Sequence, residues 1–458
     1  MTTTPPGDLP DQATLAAYAE AVRGLLARGG YERSGDPREA KRFRLTHIEA
    51  FLEAAGRPDR RRTVHIAGSK GKGSTAALVE AQLRAAGAHT LLLTSPDLHQ
   101  ARERVRIDGE PLAHADFARL AKALLDDEAT EGWSYFELLT VLGWLAGAEA
   151  GCDWQVLEVG LGGRLDTTNV VDAAKEAAVI TPIDLEHTAI LGDTIEQIAT
   201  EKSAIIRAPG AAVAAPLRER ALDVVRARAS EVGATLHEVA AECALRVTSQ
   251  GLDGQQLDLR TPLRTYRRLR LPLIGRHQAE NAATAVRAAE LAWAAAGGAP
   301  PEAAVRDGLG SVRWGGRFEV LRQRPLVVLD ALHTPLAAER FRETVRDLPL
   351  PQPHVLVIGL LAGRDIPLLA APLLAGSETV IIAPPASERA ADPSQVAVAF
   401  DEAGAVVQQQ PNVTAALDLA RALAGEGGSV FVVGSLYTVS EAREELLGVS
   451  GDRALGLR

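Results

Sequence analysis

The run Val64-His65-Ile66-Ala67-Gly68-Ser69-Lys70-Gly71-Lys72-Gly73-Ser74-Thr75 places an apolar strand ahead of a glycine-rich turn, and Ala76–Leu83 behind it reads as a helix. Glycines let several backbone N–H groups curl toward one point, and the helix N-terminus adds about half a positive charge. Lys72 supplies a full cation, and Ser74 or Thr75 a hydroxyl. Together these residue types make a phosphate cradle. The spacing departs from the usual P-loop: only Ser69-Lys70 separate Gly68 from Gly71, and Gly73 stands between Lys72 and Ser74. A strand-to-helix turn that binds nothing is the alternative. The strand before, the helix after and the lysine in place favour phosphate.

Three further sites carry chemistry. In Asp193–Ile206, Thr194 and Gln197 form a capping-box pattern with Asp193 as a competing N-cap, and Lys202 falls on the stripe of Ile195, Ile198, Ala199, Ile205 and Ile206. A desolvated lysine favours its neutral amine, a nucleophile that carbon dioxide can carbamylate. Periodicity alone favours a plainer lysine that snorkels to water. Glu158 ends the apolar strand Trp154–Val159, where a carboxylate is costly unless paired or metal-bound. His187 follows the next strand. Glu158, His187 and a hydroxyl could hold Mg²⁺ beside phosphates, although histidine is an unusual magnesium ligand. The Gly160-Leu161-Gly162-Gly163-Arg164 run lacks the third glycine of a dinucleotide fingerprint, because position 165 is Leu165, and that reading is rejected. Asp330 and His333 follow a later strand, either as polar turn residues or as residues reaching across an interdomain cleft.

These residues need strand ends to hold them. The strands Thr63–Ala67, Thr90–Leu93, Trp154–Val159, Ala177–Thr181 and Ala211–Ala215 alternate with helices, which indicates a parallel sheet covered on both faces. Ligands of such sheets bind at the carboxyl ends of the strands. Residues from about Glu238 to Leu273 read as a small β insertion. A helix from about Ala279 to Ala296 ends at Gly297-Gly298-Ala299-Pro300-Pro301, a linker signal. A second series follows at Leu326–Leu329, Val355–Ile358, Thr379–Ile382 and Val430–Val433. The expected fold class is thus α/β, with domains at residues 1–299 and 300–458.

Composition sets the outer bounds. The chain has 458 residues, a net charge of −10, 47% hydrophobic and 24% charged residues, which suits two or three globular domains and argues against a general nucleic-acid binder. Cys152 and Cys243 cannot build a disulfide framework or a four-cysteine zinc site, and they fit a reducing compartment. Residues 1–12 read as disordered. No signal peptide or membrane-spanning run is read, so the expected location is cytoplasmic.

Several separate segments resemble one family. They are His65–Thr75, Thr94-Ser95-Pro96, Glu103–Arg106, Tyr135-Phe136-Glu137, Glu158–Asn169, Glu201-Lys202, His277-Gln278 with Asn281-Ala282-Ala283, Gly316–Glu319 and Gly434-Ser435-Leu436. In that order they resemble the folylpolyglutamate synthase/dihydrofolate synthases, ATP-dependent amide ligases related to the Mur cell-wall ligases. The resemblance implies an N-terminal P-loop-type parallel-sheet ATPase domain, like the Mur ligase central domain. It also implies a smaller Rossmann-like C-terminal α/β domain that closes over the ATP site. Gly71, Lys72, Gly73 and Ser74 would hold the ATP phosphates, and Ser95, Glu158 and His187 would coordinate Mg²⁺. Lys202 matches a carbamylated lysine that supports the metal site. Asn281, Arg317 and Asp330 would contact ATP, while Ser134, Tyr135, Phe136, Glu137, Leu165, Asp166 and Thr167 would line a pterin pocket. The implied reaction phosphorylates a pteroate or folate carboxylate and captures the acyl phosphate with L-glutamate. The implied partners are these small molecules alone, with no nucleic acid or membrane, and the implied state is a monomer.

The chain departs from the family pattern at several positions. Ser69-Lys70 stands where Thr-Asn is usual, Asp97 replaces a histidine, Asp330-Ala331-Leu332-His333-Thr334 replaces Asp-Gly-Ala-His-Asn, and Arg364-Asp365 replaces Lys-Asp. Lys70 either adds a cation beside the phosphates or points to solvent. Two other readings compete. A Mur-type cell-wall ligase would need an additional N-terminal domain, and only 62 residues precede Thr63. An inactive nucleotide-binding homologue is suggested by the changes at Ala331–Thr334.

Overall fold

A computed structural model describes residues 10–40, 44–171, 175–321 and 324–457. Residues 1–9, within the stretch expected to be disordered, lie outside the described residues. Gln12 already opens a helix (Gln12–Ala27) whose N-cap Asp11 accepts from the Thr14 amide, so residues 11 and 12 are ordered by capping.

The chain packs as two compact units. One comprises residues 1–238, 288–300 and 452–457, and the other 239–287 with 301–451. The first unit holds strands β1 (Arg62–Ala67), β2 (Thr90–Leu93), β3 (Val105–Ile107), β4 (Glu110–Pro111), β5 (Trp154–Glu158), β6 (Ala177–Ile180), β7 (Ala211–Ala214) and β8 (Thr235–Glu238). Their order is β4-β3-β2-β5-β1-β6-β7-β8. From β2 to β8 every pairing is parallel, while β3 and β4 are antiparallel at one edge. The buried, apolar strands suit a sheet covered on both faces. Strand β1 lies between β5 and β6, so the loops leaving the three strands rise side by side. The chain leaves β1 for β2 on one side and leaves the adjacent β6 for β7 on the other, and such diverging connections open a crevice for ligands.

In the second unit, β9 (Ala244–Gly251), β10 (Gly254–Arg260) and β11 (Thr265–Leu271) form a three-stranded antiparallel sheet, as the change of texture after Glu238 suggested. A separate six-stranded sheet contains β12 (Glu319–Leu321), β13 (Leu326–Ala331), β14 (His354–Gly359), β15 (Thr379–Ile382), β16 (Val406–Gln409) and β17 (Ser429–Gly434), in the order β12-β13-β17-β14-β15-β16. Only β12 runs antiparallel to its neighbour. The expected strands are all present, within a residue or two at their ends. Among the described residues no helix is long and apolar enough to cross a membrane.

Candidate functional site

Strand β1 ends at Ala67, and the chain then turns through Gly68, at φ +151°, and Gly71, at φ +83°. A Cβ on Gly68 would lie 1.9 Å from Thr181 Oγ1, so only glycine lets the turn press against the end of β6. The amides of Ser69 and Lys70 both donate to the Pro182 carbonyl, at 2.9 and 3.0 Å, which fixes the turn. The helix Lys72–Ala85 starts there with Gly71 as N-cap, and no side chain caps its first turn. Its leading amides and its dipole therefore face the mouth of the turn, the arrangement that receives an anion. Ser74 is buried inside that first turn.

Three lysines converge on this turn. Lys72 Nζ donates to the Gly68 carbonyl at 3.0 Å, and Lys202 Nζ donates to the same oxygen at 2.9 Å. Lys202 also pairs with Glu186 Oε1 at 2.8 Å, and Lys70 pairs with Glu186 Oε2 at 3.4 Å. Lys70 thus turns inward toward the cluster. Glu186 is opposed by more positive charge than it carries. Burial alone would raise its pKa, yet the charges of Lys202, Lys72 and Lys70 win and hold it well below the usual carboxylate range. Burial lowers Lys202 to about 8, assisted by Lys72 and Lys70 and opposed by Glu186.

Lys202 does not snorkel. Its side chain is 2% exposed. The helix Ile195–Ser203 explains why: its Thr194–Gln197 capping box fixes the start, Ile198 and Ala199 anchor the buried face, and Lys202 falls on that face. Gly163 lets this helix approach closely, since a Cβ there would meet the Glu201 carbonyl at 2.6 Å. Gly160 likewise accommodates the Phe136 ring, at 2.5 Å from its would-be Cβ. The glycines of the Gly160–Gly163 run therefore serve packing, in keeping with rejection of a dinucleotide fingerprint.

Glu158, at the end of β5, is buried and accepts from the Ser95 amide at 3.1 Å. His187 sits at φ +48°, with Nδ1 2.8 Å from the Tyr31 hydroxyl. Its outer edge is exposed, but the protein crowding the ring, with the neighbouring lysines, lowers its pKa to about 4 despite Glu186. A neutral imidazole is the ligating form. Among the described residues no three His, Cys, Asp or Glu side chains group as a metal site. Of the three expected metal-binding residues, Ser95 and Glu158 are joined by a backbone hydrogen bond, while His187 bonds Tyr31.

A cleft beside Ser95 and Glu158 is lined by Leu93, Phe136 and Leu139 and by Arg104, Thr140 and Thr168. Phe136 lies in it. Tyr135 is buried in the core, its ring 5.1 Å under the Arg104 guanidinium. Ser134 and Glu137 close a capping box on the helix Tyr135–Glu149, and Glu137 also meets His47 Nε2 at 2.9 Å. Asp166 is buried. It accepts from the Leu161 amide at 2.8 Å and from the amide and hydroxyl of Thr168, so it braces the segment that carries Leu165 and Thr167. Burial raises its pKa.

Two features carried no role in the sequence reading. Glu186, adjacent to His187, is the carboxylate that organises the lysines; a lone acidic residue in a turn gives no signal until its partners are known. Arg104 pairs with Asp97 Oδ1 at 2.6 Å and forks onto Glu32. Asp97, a departure from the family pattern, is therefore matched by a buried arginine.

In the second unit, Asp330 ends β13. Burial raises its pKa to about 6 against the pull of Arg317. The Gly316–Glu319 turn is held by Glu319, which accepts from the Gly316 amide at 2.8 Å and pairs with Arg443 at 2.9 Å. Phe318 is buried there at φ +42°. Asn281, on the helix Arg276–Ala295, donates to Gln278 Oε1 at 3.1 Å.

Residues 66–289 match the Mur ligase middle domain, and residues 316–436 match the Mur ligase, glutamate ligase domain. A probable bifunctional folylpolyglutamate synthase/dihydropteroate synthase of Haloferax volcanii is 39% identical over 83% of this chain and 45% of its own length, so the chain spans just under half of that relative. The dihydrofolate synthase/folylpolyglutamate synthase of Mycobacterium tuberculosis is 33% identical over 87% of this chain and 89% of its own. A crystal structure of the M. tuberculosis folylpolyglutamate synthase complexed with ADP and AMPPCP superposes with a TM-score of 0.84 at 31% identity, covering 96% of this chain and 100% of that one. The E. coli FolC structure in complex with DHPP and ADP gives 0.77 at 30% identity, over 97% and 99%. Matched in both Mur ligase regions and along nearly the full length of the M. tuberculosis enzyme, the chain belongs to the folylpolyglutamate synthase/dihydrofolate synthase family.

Proposed function

We propose that this chain is an ATP-dependent ligase that joins L-glutamate to dihydropteroate, to the γ-carboxyl of a reduced folate, or to both. The observation that carries this reading is the uncapped helix N-terminus at Gly71, with Lys72 and Lys202 meeting on the Gly68 carbonyl. Such a site is built for a polyphosphate. Relatives solved with ADP, AMPPCP and DHPP support the choice of ligands.

In this reading Gly71, Lys72, Gly73 and Ser74 bind the ATP phosphates, and Asn281, Arg317 and Asp330 bind the remainder of the nucleotide. The cleft at Phe136, with Ser134–Glu137 and Leu165–Thr167 around it, takes the pterin-bearing acid. Tyr135 and Asp166 shape that cleft from within the core. Catalysis is positioning and charge neutralisation. Lys72 offsets the charge of two anions brought together. The substrate carboxylate attacks the γ-phosphorus, ADP leaves, and the glutamate amine displaces phosphate from the acyl phosphate. Ser95, Glu158 and His187 would hold Mg²⁺, which neutralises phosphate charge when bound. Lys202 is placed to be carbamylated, since a buried amine beside Lys70 and Lys72 exchanges one cation for an anion they would stabilise. Residues 300–458 serve as the glutamate-ligase domain, apart from the segment 452–457, which belongs to the first unit. Both cysteines are free, which fits a cytoplasmic enzyme, and the proposed state is a monomer.

The test is an ATP-dependent ligation with L-glutamate, comparing dihydropteroate with a reduced folate and resolving products by mass. Products heavier by one glutamyl residue, formed only with ATP, are expected. Nucleotide binding without ligation on either acceptor would refute the reading.

A further inference from the structure

The segment Asp452–Leu457 packs on the first unit, although the residues just before it belong to the second. Leu457 belongs to the same buried hydrophobic cluster of the first unit as Tyr18 and Leu112. Asp452 is 1% exposed and hydrogen-bonds to three residues far earlier in the chain. Its amide donates to the His99 carbonyl at 2.9 Å. Its Oδ2 accepts from the Ala101 amide at 2.8 Å, and its Oδ1 accepts from the Tyr18 hydroxyl at 3.0 Å. A buried carboxylate with two donors of this kind is a strong, directional tie.

What it ties is the loop between β2 and β3. That loop closes at its neck, where the Thr94 amide donates to the Arg104 carbonyl at 3.0 Å. Within it, the Leu98 and His99 amides both donate to Glu103 Oε2. Ala101 is the first residue of a 3₁₀ turn, Ala101–Arg104, and Arg104 is its last. Asp452 therefore holds the N-terminal end of the short turn that delivers Arg104 to the lining of the cleft. The opposite foot of the loop is held separately, through the Ser95 amide on Glu158.

We propose that Asp452 is a positioning residue for the acyl substrate: the returning segment straps the loop 98–104 to the Gln12–Ala27 helix and so sets where Arg104 stands. The role of the cleft rests on the reading under Proposed function; the strap itself does not. Truncating the carboxylate frees the turn while leaving the phosphate loop and its lysines untouched. Selectivity follows, because the nucleotide and the acid are held by different residues.

The experiment compares wild type with Asp452→Ala, Asp452→Asn and Tyr18→Phe by steady-state kinetics and by amide hydrogen exchange. For Asp452→Ala, KM for the pteroate or folate acceptor is expected to rise roughly 5-fold or more, with kcat and KM for ATP within about 2-fold, as befits a lost buried charged hydrogen bond. Asp452→Asn, which keeps one acceptor oxygen, should recover part of the loss. Tyr18→Phe, which spares the Ala101 tie, should shift the acceptor KM by less than about 2-fold. Exchange should accelerate across 98–104 in Asp452→Ala and stay unchanged at 68–75. An unchanged acceptor KM in the alanine variant, or an equal rise for all three substrates, would overturn the positioning role. Unchanged exchange at 98–104 would overturn the strap. If Asp452→Ala does not fold, Asp452→Asn decides on the same readouts, with Tyr18→Phe as the control that spares the Ala101 tie. Failure of wild type to use either acceptor would instead fall on the functional reading, and exchange would still judge the strap.

Discussion

The ends of β1 and β13 solve opposite electrostatic problems. At β1 the protein gathers three lysines around one carboxylate, Glu186, and leaves a helix N-terminus uncapped above them. At β13 it buries one carboxylate, Asp330, with so little compensation that its pKa rises to about 6. The first place has a surplus of positive charge that an incoming anion relieves. The second has a buried carboxylate that an added hydrogen-bond donor would relieve. Ligand charge can therefore be read from which sign the fold leaves uncompensated.

The sharpest break in this contrast is Lys72→Ala. Removing the cation from the phosphate turn should lower kcat by roughly 10³-fold with the fold retained, measured as ligation rate at saturating ATP. Lys202→Ala comes next, with an expected loss of about 10²-fold, partly restored by added acetate or formate if a carboxylate is what the carbamate supplies. Modification of wild-type Lys202 at fixed dissolved carbon dioxide should increase as pH rises through about 8, because the neutral amine is the reactive form. Mass spectrometry of the intact protein reads this. In the second unit, Asp330→Asn should raise KM for ATP by about 10-fold while leaving KM for the pterin acceptor nearly unchanged. Lys70→Asn, which restores the residue usual in the family, should change KM for ATP by only about 3-fold, since Lys70 meets Glu186 at the longer distance.

Stability adds a test of sign. Glu186 is held below its ordinary value of 4.5. A carboxylate with a lowered folded-state pKa contributes stability above its unfolded value and loses it as pH falls. Glu186→Gln should therefore unfold at lower denaturant than wild type at pH 7, and the gap should shrink below about pH 4.5. A gap that grows on acidification would contradict the lysine cluster.

Much of this was legible in the residues. The parallel strands announced themselves as apolar runs, and the β insertion by its loss of helical period. Spacing put Lys202 on the apolar stripe yet favoured an amine snorkelling to water; the structure reverses that preference, because the amine is buried on the Gly68 carbonyl and Glu186. What stayed hidden was pairing at long sequence separation. Nothing in Asp97 or Glu32 announces Arg104 as their common partner, and nothing in Asp452 announces the Ala101 amide. Tyr135 and Phe136 were both expected at the pterin pocket, yet Phe136 lines the cleft while Tyr135 is buried in the core, because one residue of helix turns a side chain by about 100°. Motif residues such as Ser134, Glu137 and Asp166 carry capping and bracing bonds that a motif cannot distinguish from ligand contacts.

The central claim is that a carboxylate oxygen of the acceptor attacks ATP at the lysine-lined turn. It is tested most directly with acceptor labelled by ¹⁸O in that carboxylate, in a single ATP- and L-glutamate-dependent turnover. The account predicts one labelled oxygen in the released inorganic phosphate and ADP as the nucleotide product. Unlabelled phosphate, or label appearing in AMP, would contradict it.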